Sequence, residues 1–191
     1  VAHNGIAVIS KFKHPERQGE EKYFKNWFTE HGYKVVSLED GSFEGAGDLL
    51  GFDDIWFGGY GQRSDKEVYT TLSDIYDKEI IPLKLVNEKF YHLDTCFCPL
   101  SGGELLYYPP AFDLYSQKLI AERWPFRVIV SSQEAERFAC NAVCVGNHVV
   151  LPSGCDETMK VLKQYGYITH PVELNEFFKS GGSAKCLTFA L

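Results

Sequence analysis

Cys186, His92 and Glu44 are the residue types of a thiol-based covalent catalyst: a sulfur nucleophile, an imidazole to move protons and a carboxylate to orient the imidazole. Cys186 sits in Gly181-Gly182-Ser183-Ala184-Lys185-Cys186-Leu187-Thr188, where the paired glycines allow backbone to approach a ligand closely. Glu44 sits in Phe43-Glu44-Gly45-Ala46-Gly47-Asp48, whose glycines suit a tight bend that leaves the carboxylate free. His92 belongs to Tyr91-His92-Leu93-Asp94-Thr95; on a strand His92 and Asp94, two positions apart, share a face. Lys185, next to the nucleophile on such a strand, points the other way. Two arginines, Arg17 and Arg63, complete the set of chemically interesting residues.

These residues recur with a period. Hairpin turns at Asn4-Gly5, Phe52-Asp53, Ser101-Gly102-Gly103 and Gly146-Asn147 follow one another at 45 to 49 residues. Around them the chain reads as ββαβ units. One runs Ala142–Val145, His148–Leu151, helix Asp156–Tyr165 and Tyr167–His170, with Gly166 closing the helix. Another runs Asp94–Pro99, Glu104–Tyr108, helix Asp113–Arg123 and Phe126–Val130; before it come Asp48–Gly51, Ile55–Phe57, helix Asp65–Tyr76 and Ile80–Val86. The first has Ile6–Ser10, helix Glu20–His31 and Tyr33–Leu38 without a leading strand, and the last has a single strand from Cys186. Asp48, Asp94, Asn141 and Cys186 open successive strands at 45 to 47 residue intervals, so a propeller-like arrangement converges them on one central site. Glu44 and His92 are 48 residues apart, one period, which places them on neighbouring units. A closed ring of five needs about one further unit, so the expectation is a ring whose N-terminal portion is absent, with strand edges open to pairing with a second copy.

Composition narrows the class. With 191 residues, 45% hydrophobic and 15% aromatic, the chain has material for a sizeable core. Its net charge of -7 and the lack of a basic stripe argue against nucleic acid, and no apolar run is long enough to span a membrane. Six cysteines are too few for a disulfide scaffold of this length, which points to reduced thiols in a cytoplasm. The Cys96/Cys98 and Cys140/Cys144 spacings do not match zinc patterns and fit buried strand thiols; His31, His148 and His170 read as structural, and His3 as exposed.

The pieces HPERQGE at 14–20, FEGAGD at 43–48, GYGQRSD at 59–65, FYHLDTCFCPL at 90–100 and GGSAKCLT at 181–188 together resemble the amidinotransferase superfamily of guanidino-modifying enzymes. This is the pentein, or α/β-propeller, family that includes dimethylarginine dimethylaminohydrolases, arginine deiminases and cyanobacterial-type arginine dihydrolases, the last being nearest. The resemblance covers residues 1–191 and implies a single catalytic domain. It makes Cys186 the nucleophile, His92 the general acid/base and Glu44 its orienting carboxylate. Asp94 becomes a guanidinium clamp beside Asp48, and Arg17 and Arg63 the arginines that engage the amino-acid end of a substrate. The dimethylarginine enzymes resemble HLKT where this chain has HLDT, and a carboxylate at Asp94 suits an unmethylated guanidinium with more N–H donors. The implied activity is hydrolysis of a C–N bond of an arginine-like substrate through a thiouronium on Cys186, with no metal and no organic cofactor. The family's other guanidinium-binding residue falls before Val1, which leaves one hydrolysis or two open. The rivals are an amidinotransferase, which hands the amidino group to an amine, and a non-catalytic binding pentein.

Overall fold

The computed structural model describes residues 1–52 and 54–191; Asp53, half of the turn expected at Phe52-Asp53, lies outside the described residues. The chain divides into two compact units, Val1–Lys84 with Ala190–Leu191, and Leu85–Phe189.

The first unit contains two three-stranded sheets. In one, β1 (Ala2–His3) pairs antiparallel with β2 (Ile6–Ile9), and β3 (Lys34–Ser37) returns parallel to β2 after α1 (Pro15–Gln18) and α2 (Glu21–Glu30). β1 is a leading strand that the sequence pattern missed, because two residues are too few to show alternation. The hairpin turn between β1 and β2 has Asn4 and Gly5 at φ 48° and 76°, the pair of positive values that a two-residue turn between twisted strands requires. His3 is half-buried rather than exposed, its ring edge-on to Trp56 at 4.9 Å between centroids. In the other sheet, β4 (Leu49–Phe52) is antiparallel to β5 (Ile55–Tyr60), and β6 (Glu79–Lys84) is parallel to β5 after α3 (Val68–Tyr76). α3 turns Val68, Tyr69, Leu72 and Tyr76 inward onto Val8, Phe43, Leu49 and Trp56. That spacing is one face of a helix, and each such side chain contributes about 1.5–3 kcal/mol when buried. Gly58 in β5 lies directly under the Tyr69 ring, where an added Cβ would collide with ring carbons, so the close helix-on-sheet approach depends on that glycine.

The second unit repeats the pattern twice. β7 (Phe97–Pro99), β8 (Leu105–Tyr107) and β9 (Arg127–Ile129) form one sheet, with α4 (Leu114–Arg123) between β8 and β9. α5 (Ser132–Ala135) follows, and then β10 (Val143–Val145), β11 (His148–Pro152) and β12 (Ile168–Val172) form the other sheet, with α6 (Asp156–Gln164) before β12 and α7 (Asn175–Phe178) after it. Both sheets pair antiparallel then parallel, so each is a ββαβ unit. Asp113 caps α4 by accepting the Ser116 N–H at 2.7 Å, and Gly166 takes φ 87° just after α6, as both residue types predict. Phe97, fully enclosed, meets Phe112 and Trp124 edge-on at 6.2 and 5.8 Å.

Two expected strand segments are instead short 3-10 turns. Asp94 lies in Leu93–Thr95, ahead of β7, and Cys186 lies in Lys185–Leu187, so the face-sharing argument for His92 with Asp94 and the alternation argument for Lys185 do not apply. Among the described residues no helix is long and apolar enough to cross a membrane.

Glu134 shows how this unit fixes a helix without an ion pair. Its buried carboxylate accepts the Glu157 and Thr158 N–H groups at 2.8 and 2.9 Å and the Thr158 hydroxyl at 2.5 Å, satisfying first-turn donors of α6. Because the buried Thr158 N–H and hydroxyl lose their acceptor, Glu134→Ala is expected to lower stability by about 1–3 kcal/mol. Urea unfolding followed by circular dichroism measures this; a loss under 0.5 kcal/mol, on the order of an ordinary surface substitution, contradicts it.

Candidate active site

In the second unit the fold brings Cys186, Asp94 and Asn141 together. The Cys186 thiol faces the Asp94 carboxylate, with Sγ 3.7 Å from Oδ2 and 4.0 Å from Oδ1. Asp94 is buried and Asn141 is fully enclosed, whereas Cys186 keeps an exposed surface. The Asn141 amide nitrogen donates to the Asp94 carbonyl at 3.0 Å, and its oxygen accepts the Ser183 and Cys186 N–H groups at 2.7 and 3.3 Å. Gly182 packs against Cys186 so closely that an added Cβ would lie 2.9 Å from Sγ, which explains the second glycine of the pair. The first, Gly181, has φ 81° and rests on the Tyr91 ring.

His92 occupies the position preceding the Leu93–Thr95 turn in extended backbone, and its carbonyl accepts the Thr95 hydroxyl at 2.7 Å. Tyr91 lies edge-on to the His92 ring at 4.7 Å and donates its hydroxyl to the Ser180 carbonyl at 3.2 Å. Tyr91 thus bears on both the imidazole and the glycine pair before Cys186. Sequence reasoning passed over Tyr91 and Ser183, and it placed Asn141 in the periodic series without a role. The Ser183 hydroxyl is enclosed and has no hydrogen-bond partner among the described residues.

The remaining candidates lie in the first unit. Glu44 precedes the Gly45–Gly47 turn, and its enclosed carboxylate accepts Arg63 Nη1 at 2.9 Å. Asp48 closes that turn and is fully enclosed, accepting the Ser64 hydroxyl at 2.6 Å; the same hydroxyl oxygen accepts the Glu44 N–H at 2.9 Å. Tyr69 donates to the Asp48 carbonyl at 3.1 Å and to the Gly59 carbonyl, and its burial, with the Asp48 charge second, drives its phenol well above the usual range. Arg17 forks onto Glu20 at 3.0 and 2.9 Å and stacks over Phe12 at 4.1 Å. The Arg17 hydrogen bond lowers the Glu20 pKa, opposed by desolvation and, least of all, by the Glu44 charge. Gly45, at φ 81°, is packed against Ser10 and allows the bend predicted for this motif.

Electrostatics bear on the Cys186 thiol. Partial desolvation, and next the Asp94 charge, push the Cys186 thiol up to about 11, against smaller favourable bonds from Asn141 and the Ser183 N–H. A cation seated against Asp94 offsets the second of these causes and so favours the thiolate.

Comparisons with solved structures define the class. The chain superposes on the N-terminal arginine dihydrolase domain of ArgZ from Cyanobacteria, determined with product bound, at a TM-score of 0.96 and 47% identity over 99% of this chain and 71% of that one. A dimethylarginine dimethylaminohydrolase at 21% identity shares the fold at a TM-score of 0.81, covering 97% of this chain and 71% of that one. The fold is thus the α/β pentein fold of guanidino-modifying enzymes. A family model described as N,N dimethylarginine dimethylhydrolase, eukaryotic, matches residues 1–191, and the chain belongs to that family. Among curated relatives it is 50% identical over 189 residues to a bifunctional arginine dihydrolase/ornithine cyclodeaminase of Synechocystis, which takes in 95% of this chain and 26% of that protein. It is 36% identical over 191 residues to the N(G),N(G)-dimethylarginine dimethylaminohydrolase of Mycobacterium tuberculosis, spanning all of this chain and 63% of that one. The chain thus spans about a quarter of the length of its cyanobacterial relatives.

The Asp94–Cys186 pairing makes a directional prediction. With a thiol near 11, alkylation of Cys186 by neutral chloroacetamide is slow at pH 7 and climbs about tenfold per pH unit up to pH 9.5. Asp94→Asn removes the second-largest cause of that elevation, so the whole profile moves to lower pH. Peptide mass spectrometry of timed samples reads the rates, and a profile that stays in place or moves upward contradicts the geometry.

Proposed function

We propose that residues 1–191 form a guanidino-hydrolase catalytic domain acting on arginine or a close analogue. The observation that carries this reading is the Cys186 sulfur at 3.7 Å from a buried carboxylate oxygen of Asp94. A guanidinium is planar and cationic, and a carboxylate holds it through paired N–H bonds, which sets its central carbon beside the sulfur. Its charge also offsets the Asp94 effect that keeps Cys186 protonated, so the substrate promotes ionisation of the group that attacks it.

The chemistry then runs in two halves. Cys186 gives its proton to the His92 imidazole and its Sγ bonds to the guanidinium carbon; the tetrahedral adduct then breaks its C–N bond as the His92 imidazolium returns that proton to the departing nitrogen. Water, giving a proton to the same imidazole, adds to the thiouronium; the C–S bond breaks, the sulfur leaves as thiolate and a ureido product is released. Support for Glu44 as the carboxylate that orients His92 is its motif and the one-period spacing. Arg63 and Arg17 are assigned to the amino-acid end of the substrate on the same motif grounds, and Asp48, enclosed beneath the Glu44 turn, acts through Ser64. The relatives solved with substrate or product and the arginine dihydrolase activity named for them favour an unmethylated substrate, as does Asp94. No metal, organic cofactor, nucleic acid or membrane enters this scheme. Free thiols at all six cysteines suit a reducing cytoplasm.

Incubation with arginine, citrulline, agmatine or dimethylarginine, followed by mass spectrometry, tests the reading. Arginine is expected to yield citrulline or ornithine and to outcompete dimethylarginine, and Cys186→Ser is expected to lose about a thousandfold or more in kcat. Added glycine must leave the product unchanged; an amidinated glycine product would establish transfer instead. Full activity in Cys186→Ser would overturn the covalent scheme.

A further inference from the structure

We propose that Asn141 is a positioning residue that fixes the nucleophile-bearing turn and the Asp94 turn to one another. The inference rests on the assignment of Cys186 as nucleophile. Asn141 carries no solvent exposure, and its side chain is satisfied from both ends. Oδ1 accepts the Ser183 and Cys186 N–H groups at 2.7 and 3.3 Å, two donors at the head of the Lys185–Leu187 turn, where the preceding residues supply no side-chain cap. Nδ2 donates to the Asp94 carbonyl at 3.0 Å, fixing the backbone of the residue whose carboxylate faces the sulfur. The Asn141 main chain adds a further tie, its carbonyl accepting the Lys185 N–H at 3.0 Å.

Only a primary amide does all of this at this length. Asp retains the acceptor and loses the donor, which sets a carboxylate against the Asp94 carbonyl. Ser and Ala cannot reach both partners, and Gln carries an extra methylene into an enclosed space. The periodic series supports the assignment: Asn141 falls 47 residues after Asp94 and 45 before Cys186, so it is the repeat-equivalent residue standing between the other two. The amide also favours the thiolate form of Cys186, opposing burial and Asp94. Asn141 thus acts on the reaction through two other residues, by holding the sulfur at its distance from the guanidinium clamp.

The test uses two variants and one measurement on the unaltered protein. In Asn141→Asp and Asn141→Ala, kcat for arginine is expected to fall about a hundredfold, the scale of an ångström-sized misplacement, with KM moving far less. The pH profile of Cys186 alkylation by chloroacetamide in Asn141→Asp is expected to shift upward by about one unit, the effect of an added anion beside a thiol. A role confined to stability would lower the melting temperature and leave that profile unmoved. A folded Asn141→Asp with the unaltered protein's alkylation profile and kcat therefore overturns the proposal. Should neither variant fold, amide hydrogen exchange in the unaltered protein decides. Slow exchange at Ser183 and Cys186 supports the bonds to Oδ1, and exchange at the rate of an open loop overturns them. The alkylation and exchange measurements need no substrate, so absence of turnover with every guanidino compound overturns the proposed function and leaves this inference to be judged on them.

Discussion

A thiol held 3.7 Å from a buried carboxylate is disfavoured from losing its proton, and that constraint organises the second unit. Desolvation, and next the Asp94 charge, push the Cys186 thiol up to about 11. The arrangement suits a site that receives a cation. Under the proposed function this links recognition to reactivity, because Asp94, the residue assigned to the guanidinium, is also one of the groups that raise the Cys186 pKa. Surrounding features maintain that distance. Gly182 lets the backbone pass within van der Waals range of the sulfur, Tyr91 bears on the glycine pair and on His92, and Asn141 ties the two turns by hydrogen bonds.

The chemistry-bearing residues share a local device. Glu44, His92 and Cys186 all stand at or just before a short 3-10 turn, two of which, Gly45–Gly47 and Leu93–Thr95, lead directly into the first strand of a sheet. A 3-10 turn is tighter than an α-helix and its backbone groups are incompletely paired, so it needs external hydrogen bonds to hold one geometry. In the first unit Ser64 and Asp48 supply them beneath Glu44; in the second Asn141 does so. The regular elements are scaffolding for these turns. α3 presses onto β5 through Gly58, Glu134 caps α6, and the buried aromatics around Phe97 fill the space under β7.

Residue chemistry and local periodicity were sufficient to read three ββαβ units and a fourth without its leading strand, the glycine turns that join their strands, and the sulfur, imidazole and carboxylate groups, since each leaves a mark within a few residues. The Asn4-Gly5 hairpin and the Asp113 cap are cases where a single residue type dictates backbone geometry, and both stand as the sequence implies. The heads of the strands were misread, because Asp94 and Cys186 lie next to strand-like runs and nothing local distinguishes a 3-10 turn from the first residues of a strand. What only the tertiary structure decided is which of these groups meet. The Asp94–Cys186 contact spans 92 residues, the Asn141 bonds span 42 to 47, and the Arg63–Glu44 pair spans 19. Such contacts are set by how the sheets and turns pack within each unit, which depends on many side chains at once and is written in no single stretch of the chain.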